Sequence, residues 1–302
     1  MGRPRRQRGC RRELPLITLH IQHTTTYRFN EPVSLLPHRL MLRPREGRDV
    51  RLLSNRISTA PDAVLSWASD VFGNAVTTAT FPMKASTLVI SSVAKLQLAS
   101  VEWPIFDIAA SAISYPFLYS DHDWTDLGAL ATPQFADADG TLRRWAQMFV
   151  RGSQTDTLAL LKDLSVGVSA AARYQSREEE GTQTPLETLS RGWGSCRDLA
   201  VLFAEAARVL GFGARIVSGY LYNPNQQSVG SGGAGSTHAW AEIFVPGAGW
   251  ITFDPTNRSL GGFNLVPIAV ARDIRRIAPV SGSYIGSTDA FAGMSVEVLV
   301  TS

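Results

Sequence analysis

Cysteine is scarce in this chain: Cys10 and Cys196 are the only two in 302 residues. That excludes a disulfide-dense secreted scaffold and a cysteine-rich zinc module, both of which need several closely spaced thiols. Long apolar runs are lacking as well. No stretch approaches the roughly 18 uninterrupted apolar residues of a membrane-spanning helix, so no membrane partner is expected. Paired metal-ligand spacings are missing too, with no Cys-x-x-Cys, no His-x-x-x-His and no acidic loop of EF-hand type. Neither a metal nor a cofactor is expected.

Excess charge is also small, 29 Lys+Arg against 26 Asp+Glu for a net of +3, and it sits in one place. Residues 1–12 hold six arginines and no acid, which leaves 23 basic against 26 acidic residues in the rest. A disordered basic tail is expected over residues 1–13. The body is not expected to bind nucleic acid, which calls for a basic face. No apolar stretch follows the tail's charges as it does in a secretory signal, so cytoplasm is the expected compartment. Apolar residues make up 44% and charged residues 18%, the balance of a globular protein.

What is there divides into two patterns. From Leu16 onward short runs of β-formers alternate with period two, at Leu35–Leu42, Val50–Ile57, Val64–Ser69, Asn74–Phe81 and Thr87–Leu98. Turn residues separate them, which predicts an antiparallel β-sandwich-like domain over residues 14–105. Residues 106–140 read as a connecting segment. Helical spacing follows, first at Leu142, Trp145, Met148 and Phe149 and then from Thr157 to about Arg173. Thr184-Pro185-Leu186-Glu187 has the form of a capping box that opens a helix. The run Glu178–Glu180 reads as solvated surface, and the glycine cluster Gly230–Ser236 as a loop without the context of a phosphate cradle. The expected class is α+β, with residues 141–302 as the second domain.

The chemistry concentrates around the second cysteine. Leu199, Leu202, Phe203, Ala206, Val209 and Leu210 recur at helical spacing after Gly192-Trp193-Gly194-Ser195-Cys196. Cys196 is therefore expected in the first turn of a long helix that ends near Gly211. Free N–H groups and the positive dipole end there favour a thiolate over a thiol. Gly192 and Gly194 read as room for a substrate backbone. Downstream, Thr237–Val245 and Trp250–Asp254 read as a hairpin, and His238 and Asp254 are separated by 16, an even number. They share a face if the pairing centres on Pro246. A thiol, an imidazole and a carboxylate in that order are the nucleophile, base and orienting acid of thiol acyl transfer.

These blocks resemble the bacterial transglutaminase-like superfamily. The resemblance runs through Thr184–Leu189, Gly194-Ser195-Cys196-Arg197-Asp198-Leu199-Ala200, Gly211–Tyr220, His238-Ala239-Trp240-Ala241-Glu242 and Trp250–Asn257. His23-Thr24-Thr25-Thr26-Tyr27, Leu42-Arg43-Pro44 and Asp70-Val71-Phe72-Gly73-Asn74 resemble the β-rich domain that precedes such cores in bacteria. The resemblance implies a papain-like core with a helix bearing Cys196 packed on an antiparallel sheet that carries His238 and Asp254. It implies thioester chemistry on a protein or peptide amide, such as a glutamine side chain, with an amine or water as acceptor. Cysteine protease or amidase action uses the same triad, and a silent binding module would be expected to lack one of its members. Tyr174, Trp193, Gly194 and Trp240 are the candidate substrate-contacting residues, and the Cys196 backbone N–H is the candidate oxyanion donor. Where relatives carry Gly-Arg-Asp-Tyr, this chain reads Ala271-Arg272-Asp273-Ile274 and lacks the aromatic ring.

Overall fold

A computed structural model of the protein describes residues 16–99, 104–152, 154–177, 181–223 and 235–302. The Arg-rich tail with Cys10, the Glu178–Glu180 run and residues 230–234 of the glycine cluster lie outside the described residues.

Six strands come first: β1 (Ile17–Leu35), β2 (His38–Leu40), β3 (Val50–Ala60), β4 (Val64–Ser69), β5 (Ala75–Thr80) and β6 (Ala85–Leu98). They form two antiparallel sheets, one with β1 against β6 against β3, the other with β2 against β5 against β4. Period-two alternation turns one side of each strand inward. Phe29, Val33 and Leu35 of β1 and Leu88 and Ile90 of β6 meet Leu40, Leu42, Ala79 and Phe81 from the second sheet in a sandwich core.

The chain then passes through β7 (Ser114–Tyr115), α1 (Asp121–Leu127), α2 (Thr141–Gln147) and β8 (Thr155–Asp156). The 106–140 segment is thus more than a connector: Ala112, Leu127 and Ala131 are buried. Next come α3 (Thr157–Ala171), β9 (Arg173–Tyr174), α4 (Pro185–Arg191), β10 (Trp193–Gly194) and α5 (Cys196–Val209). The Thr184 capping box is present, with Thr184 Oγ1 accepting from the Glu187 N–H at 3.2 Å and Glu187 accepting from the Thr184 N–H at 2.7 Å. A second sheet system follows: β11 (Gly213–Tyr222), β12 (Gly235–Val245), β13 (Gly249–Asp254), β14 (Ser259–Leu260) and β15 (Leu265–Ala271), in the order β14-β13-β12-β11-β15. Gly235 and Ser236, read as loop, open β12. Helix α5 is buried along most of its length, and its Leu199, Leu202, Phe203 and Ala206 join Ile216, Ala239, Ala241 and Phe253 of the sheet in the main core.

The last strands leave this core. β16 (Val280–Ser281) pairs with β2, β17 (Tyr284–Ile285) with β1, and β18 (Phe291–Thr301) runs antiparallel along β1 from His20 to Phe29. The assignment of all of residues 141–302 to the second domain is corrected here, because residues 280–301 complete the N-terminal sandwich. The alternation of Met294–Val300 marks a strand, but the edge that needs a partner belongs to β1, some 270 residues earlier.

Two contacts lock the domains together. Leu19, Ile21, Leu96 and Leu98 of the sandwich pack on Tyr220, Tyr222, Val266 and Ile268 of the core sheet, and His23 Nδ1 lies 3.1 Å from Tyr220 Oη. Asn74, fully buried, does more. Its side chain donates to the Val270 carbonyl at 2.7 Å and accepts from the Val270 N–H at 2.9 Å. The amide thereby imitates a strand residue on the edge of β15. Asp70 holds it in place, accepting from Asn74 Nδ2 at 2.8 Å and from the Asn74 N–H at 3.0 Å.

Candidate active site

Cys196 stands at the first position of α5 and is half-buried. The helix begins there because Ser195 takes an extended backbone and Asp198, in the first turn, accepts from the Ser195 N–H and from Ser195 Oγ, both at 2.8 Å. Asp198 is fully buried. It also accepts from the Gln183 N–H at 2.8 Å and from Arg177 at 3.0 Å. One carboxylate therefore ties three segments to the base of the nucleophile's helix.

His238 lies on β12 and Asp254 at the end of β13, just before Pro255 stops the ladder. The ladder pairs Ala241 with Phe253 and Val245 with Gly249, so the hairpin centres on Gly247 rather than on Pro246. Moving the centre by one residue shifts every partner by two, which preserves the face. Continuing that register sets Asp254 opposite Trp240, and His238 reaches it on the diagonal. His238 Nε2 is 2.8 Å from Asp254 Oδ2. Asp254 is itself gripped by the following turn, accepting from the Thr256 N–H at 3.0 Å and from Asn257 Nδ2 at 2.7 Å.

With Nε2 engaged, Nδ1 is the nitrogen left for the thiol, and it is buried without a conventional partner. Charge couples the three groups. Burial alone lowers the imidazole, but the Asp254 carboxylate, their hydrogen bond and Cys196 outweigh it and raise His238 to about 10. Burial raises the thiol, and His238, the Ala239 N–H and Arg197 together overcome it, leaving Cys196 below the ordinary thiol range. Burial likewise raises Asp254, and His238 and Asn257 bring it below the ordinary carboxylate range. Both shifts favour thiolate with imidazolium over thiol with imidazole, the pairing a thiol nucleophile requires. A group whose pKa rises on folding stabilises fully below its ordinary value, here 6.5, and loses that contribution as pH climbs through about 10. Asp254→Asn removes the charge that raises His238. The gap in Tm between wild type and Asp254→Asn is expected to narrow as pH rises across that window, and a constant gap would contradict the coupling.

The other candidate residues divide. Tyr174 is half-buried beside the thiol: burial, then the Cys196 charge, raise its phenol. Its strand β9 lies parallel to β10, with Gly194 opposite Tyr174. Trp193 is half-buried with the Arg191 guanidinium 5.8 Å from its ring centre. Gly194 answers to packing rather than to substrate, since a Cβ there would stand 2.8 Å from Asp198 Cβ. Gly192 ends α4 in the left-handed conformation at φ 68°. Trp240 is 1% exposed and lies under His238, ring centres 6.2 Å apart and planes at 29°. It occupies the space over Gly219, where a Cβ would meet the indole at 2.5 Å. Trp240 is thus a support for the imidazole and not a wall open to substrate. Arg272 is committed to the carbonyls of Ala129, Thr132 and Pro133 at 2.7, 3.0 and 3.1 Å. Sequence reasoning missed Asn257 and Thr256 as the residues that hold Asp254, although both stand in the quoted block. Among the described residues no cluster of three His, Cys, Asp or Glu side chains is arranged to hold a metal ion, and no helix is long and apolar enough to cross a membrane.

Comparison with known proteins follows the same division of the chain. Residues 19–97 match the bacterial transglutaminase-like N-terminal region, and residues 143–255 match the transglutaminase-like superfamily. An uncharacterized protein of Mycobacterium leprae is 25% identical over 288 residues, covering 93% of this chain and 98% of that one. One of Mycobacterium tuberculosis is 26% identical over 304 residues, covering 95% of each. Among solved structures, "a Putative Cysteine Protease from Cytophaga hutchinsonii" shares the fold, with a TM-score of 0.71 at 20% identity over 95% of this chain and 92% of that one.

Proposed function

The chain belongs to the transglutaminase-like superfamily, and on that premise we propose that it is a thiol enzyme acting on amide bonds through Cys196, His238 and Asp254. The observation that carries this is the imidazole held between a buried carboxylate at 2.8 Å and a thiol at a helix N-terminus. In the first half-reaction the Cys196 thiolate attacks the amide carbonyl carbon and a C–S bond forms. Negative charge collects on the carbonyl oxygen, where the Cys196 backbone N–H donates to it. The His238 imidazolium gives its proton to the leaving nitrogen, the C–N bond breaks, and a thioester and a free amine result. In the second half-reaction the now neutral His238 takes a proton from an incoming amine or water, the acceptor bonds to the acyl carbon, and the C–S bond breaks. Asp254 keeps the Nε2 proton in place throughout and favours the imidazolium.

The substrate class is a protein or peptide amide, with the glutamine side chain as the donor of choice. An assay with a glutamine peptide, run with and without an added primary amine, separates the two acceptors. Ammonia together with an amine adduct identifies transfer; ammonia alone or a cleaved peptide identifies hydrolysis. Folded protein that yields no ammonia, no adduct and no cleavage overturns the reading. A cytoplasmic site of action is part of the same proposal and is checked by fractionation of cells producing the full chain.

A further inference from the structure

We propose that the cleft beside Cys196 selects acyl donors that carry a carboxylate next to the amide under attack, and that Arg173 and Arg258 are the residues that select them. This rests on the thiol-enzyme reading above and adds to it a substrate class. The cleft has a volume of about 590 Å³ and is lined by Tyr174, Leu199, Thr256 and Asn257 together with the two arginines. It adjoins the triad through residues that neighbour Cys196 and Asp254. Tyr174 feels the charge of Cys196, Leu199 lies one turn along α5 from it, and Thr256 and Asn257 donate to Asp254.

Among the described residues the charge of this cleft has one sign. Arg173 and Arg258 are both exposed, and no described carboxylate lines the cleft with them. Arg258 Nε donates to Ser169 Oγ at 3.1 Å, a neutral partner that leaves its charge uncompensated. The Arg173 side chain has no partner among the described residues. Two described carboxylates close to the triad are engaged elsewhere, Asp254 by His238 and Asn257, and Asp198 by Arg177, Gln183 and Ser195. Arg258 is also the only described non-glycine residue with a left-handed backbone, at φ 54°. The turn that grips Asp254 thus ends by directing a guanidinium to the rim of the cleft. Guanidinium groups recognise carboxylates through paired hydrogen bonds, and a concave cationic site concentrates anions near the reacting atom.

Alkylation of Cys196 tests this without knowledge of the substrate. Iodoacetamide is neutral and iodoacetate is anionic; in both, the thiolate forms a C–S bond and expels iodide. The rates are read on the Cys196 peptide by mass spectrometry at about pH 6, well below the ordinary thiol range. The ratio of iodoacetate to iodoacetamide rates is compared between wild type and the double variant Arg173→Gln, Arg258→Gly. Glycine at 258 suits the left-handed backbone, so the charge is lost without added strain, and Arg258→Lys on the Arg173→Gln background restores one cation. The double variant is expected to lower the ratio by about threefold or more at low salt, and the difference is expected to shrink at about 0.5 M salt. A Cys196 that reacts with both reagents, at a ratio the substitutions do not move, overturns this inference and leaves the thiol-enzyme reading standing. A Cys196 inert to both overturns that reading and this inference with it. Protection against iodoacetamide then separates the sources of the carboxylate. Acetyl-Gln-Glu-amide represents an acidic side chain and acetyl-Gln-Gly with a free end represents a chain terminus. Either protecting better than acetyl-Gln-Gly-amide supports the inference; neither doing so overturns it.

Discussion

Cys196→Ala is expected to lower turnover of any amide substrate by roughly 10⁶-fold, with the fold retained. Cys196 is half-buried and the change removes a single heavy atom, so packing loses little. What disappears is the atom that bonds to the acyl carbon; a water in its place has neither the position nor the lowered pKa. Ammonia release and thermal melting, measured side by side, check the expectation. A melting curve like that of wild type with activity near zero is the expected pair. Full activity in a folded Cys196→Ala protein would remove the sulfur from the mechanism altogether.

Asp198→Ala is expected to destabilise the protein by about 3–5 kcal/mol, the range seen when one member of a buried ion pair is removed. Arg177, only 11% exposed, would lose its carboxylate, and the Gln183 and Ser195 N–H groups would lose their acceptor. The effect reaches the nucleophile because the same side chain holds the residue before Cys196. Urea unfolding measures the stability, and alkylation of the still-folded variant in dilute urea measures the thiol. Asp198→Asn keeps one acceptor oxygen and is expected to fall between. A loss below about 1 kcal/mol for Asp198→Ala would mean that water replaces the carboxylate without cost.

Much of the site could be read in the sequence because its placement depends on short periods. Cys196 opens a helix in which Leu199, Leu202 and Phe203 recur on one side, and the capping context lies within three residues. The shared face of His238 and Asp254 survives an error in the turn, because moving the centre from Pro246 to Gly247 changes partners in steps of two. Both Gly247 and Gly249 have left-handed backbones, at φ 83° and 72°, so composition alone did not say which would carry the turn. Contacts between distant residues were not legible. Gly194 is small because Asp198 crosses it, and Trp240 is covered because Gly219 makes room on the neighbouring strand. The amide of Asn74 reaches Val270, 196 residues away. In the β-rich segment the motif Asp70–Asn74 reads as a simple turn, and its work as a latch on β15 emerges only when the second domain is packed against it.

The return of β18 to β1 has a consequence for how the molecule is made. Synthesis delivers β1–β6 before the catalytic core, yet the strand that closes their sandwich, Phe291–Thr301, is delivered after it. At roughly 5–20 residues per second, β1 waits on the order of tens of seconds with an open edge while everything between is translated. The domain begun before the core is finished after it, and the helix that carries Cys196 lies in sequence between its two halves. The sandwich cannot be excised as one continuous length of chain. A cut before residue 280 takes the last strand from the sandwich, and a fragment beginning at residue 141 carries that strand away from the β1 edge it closes.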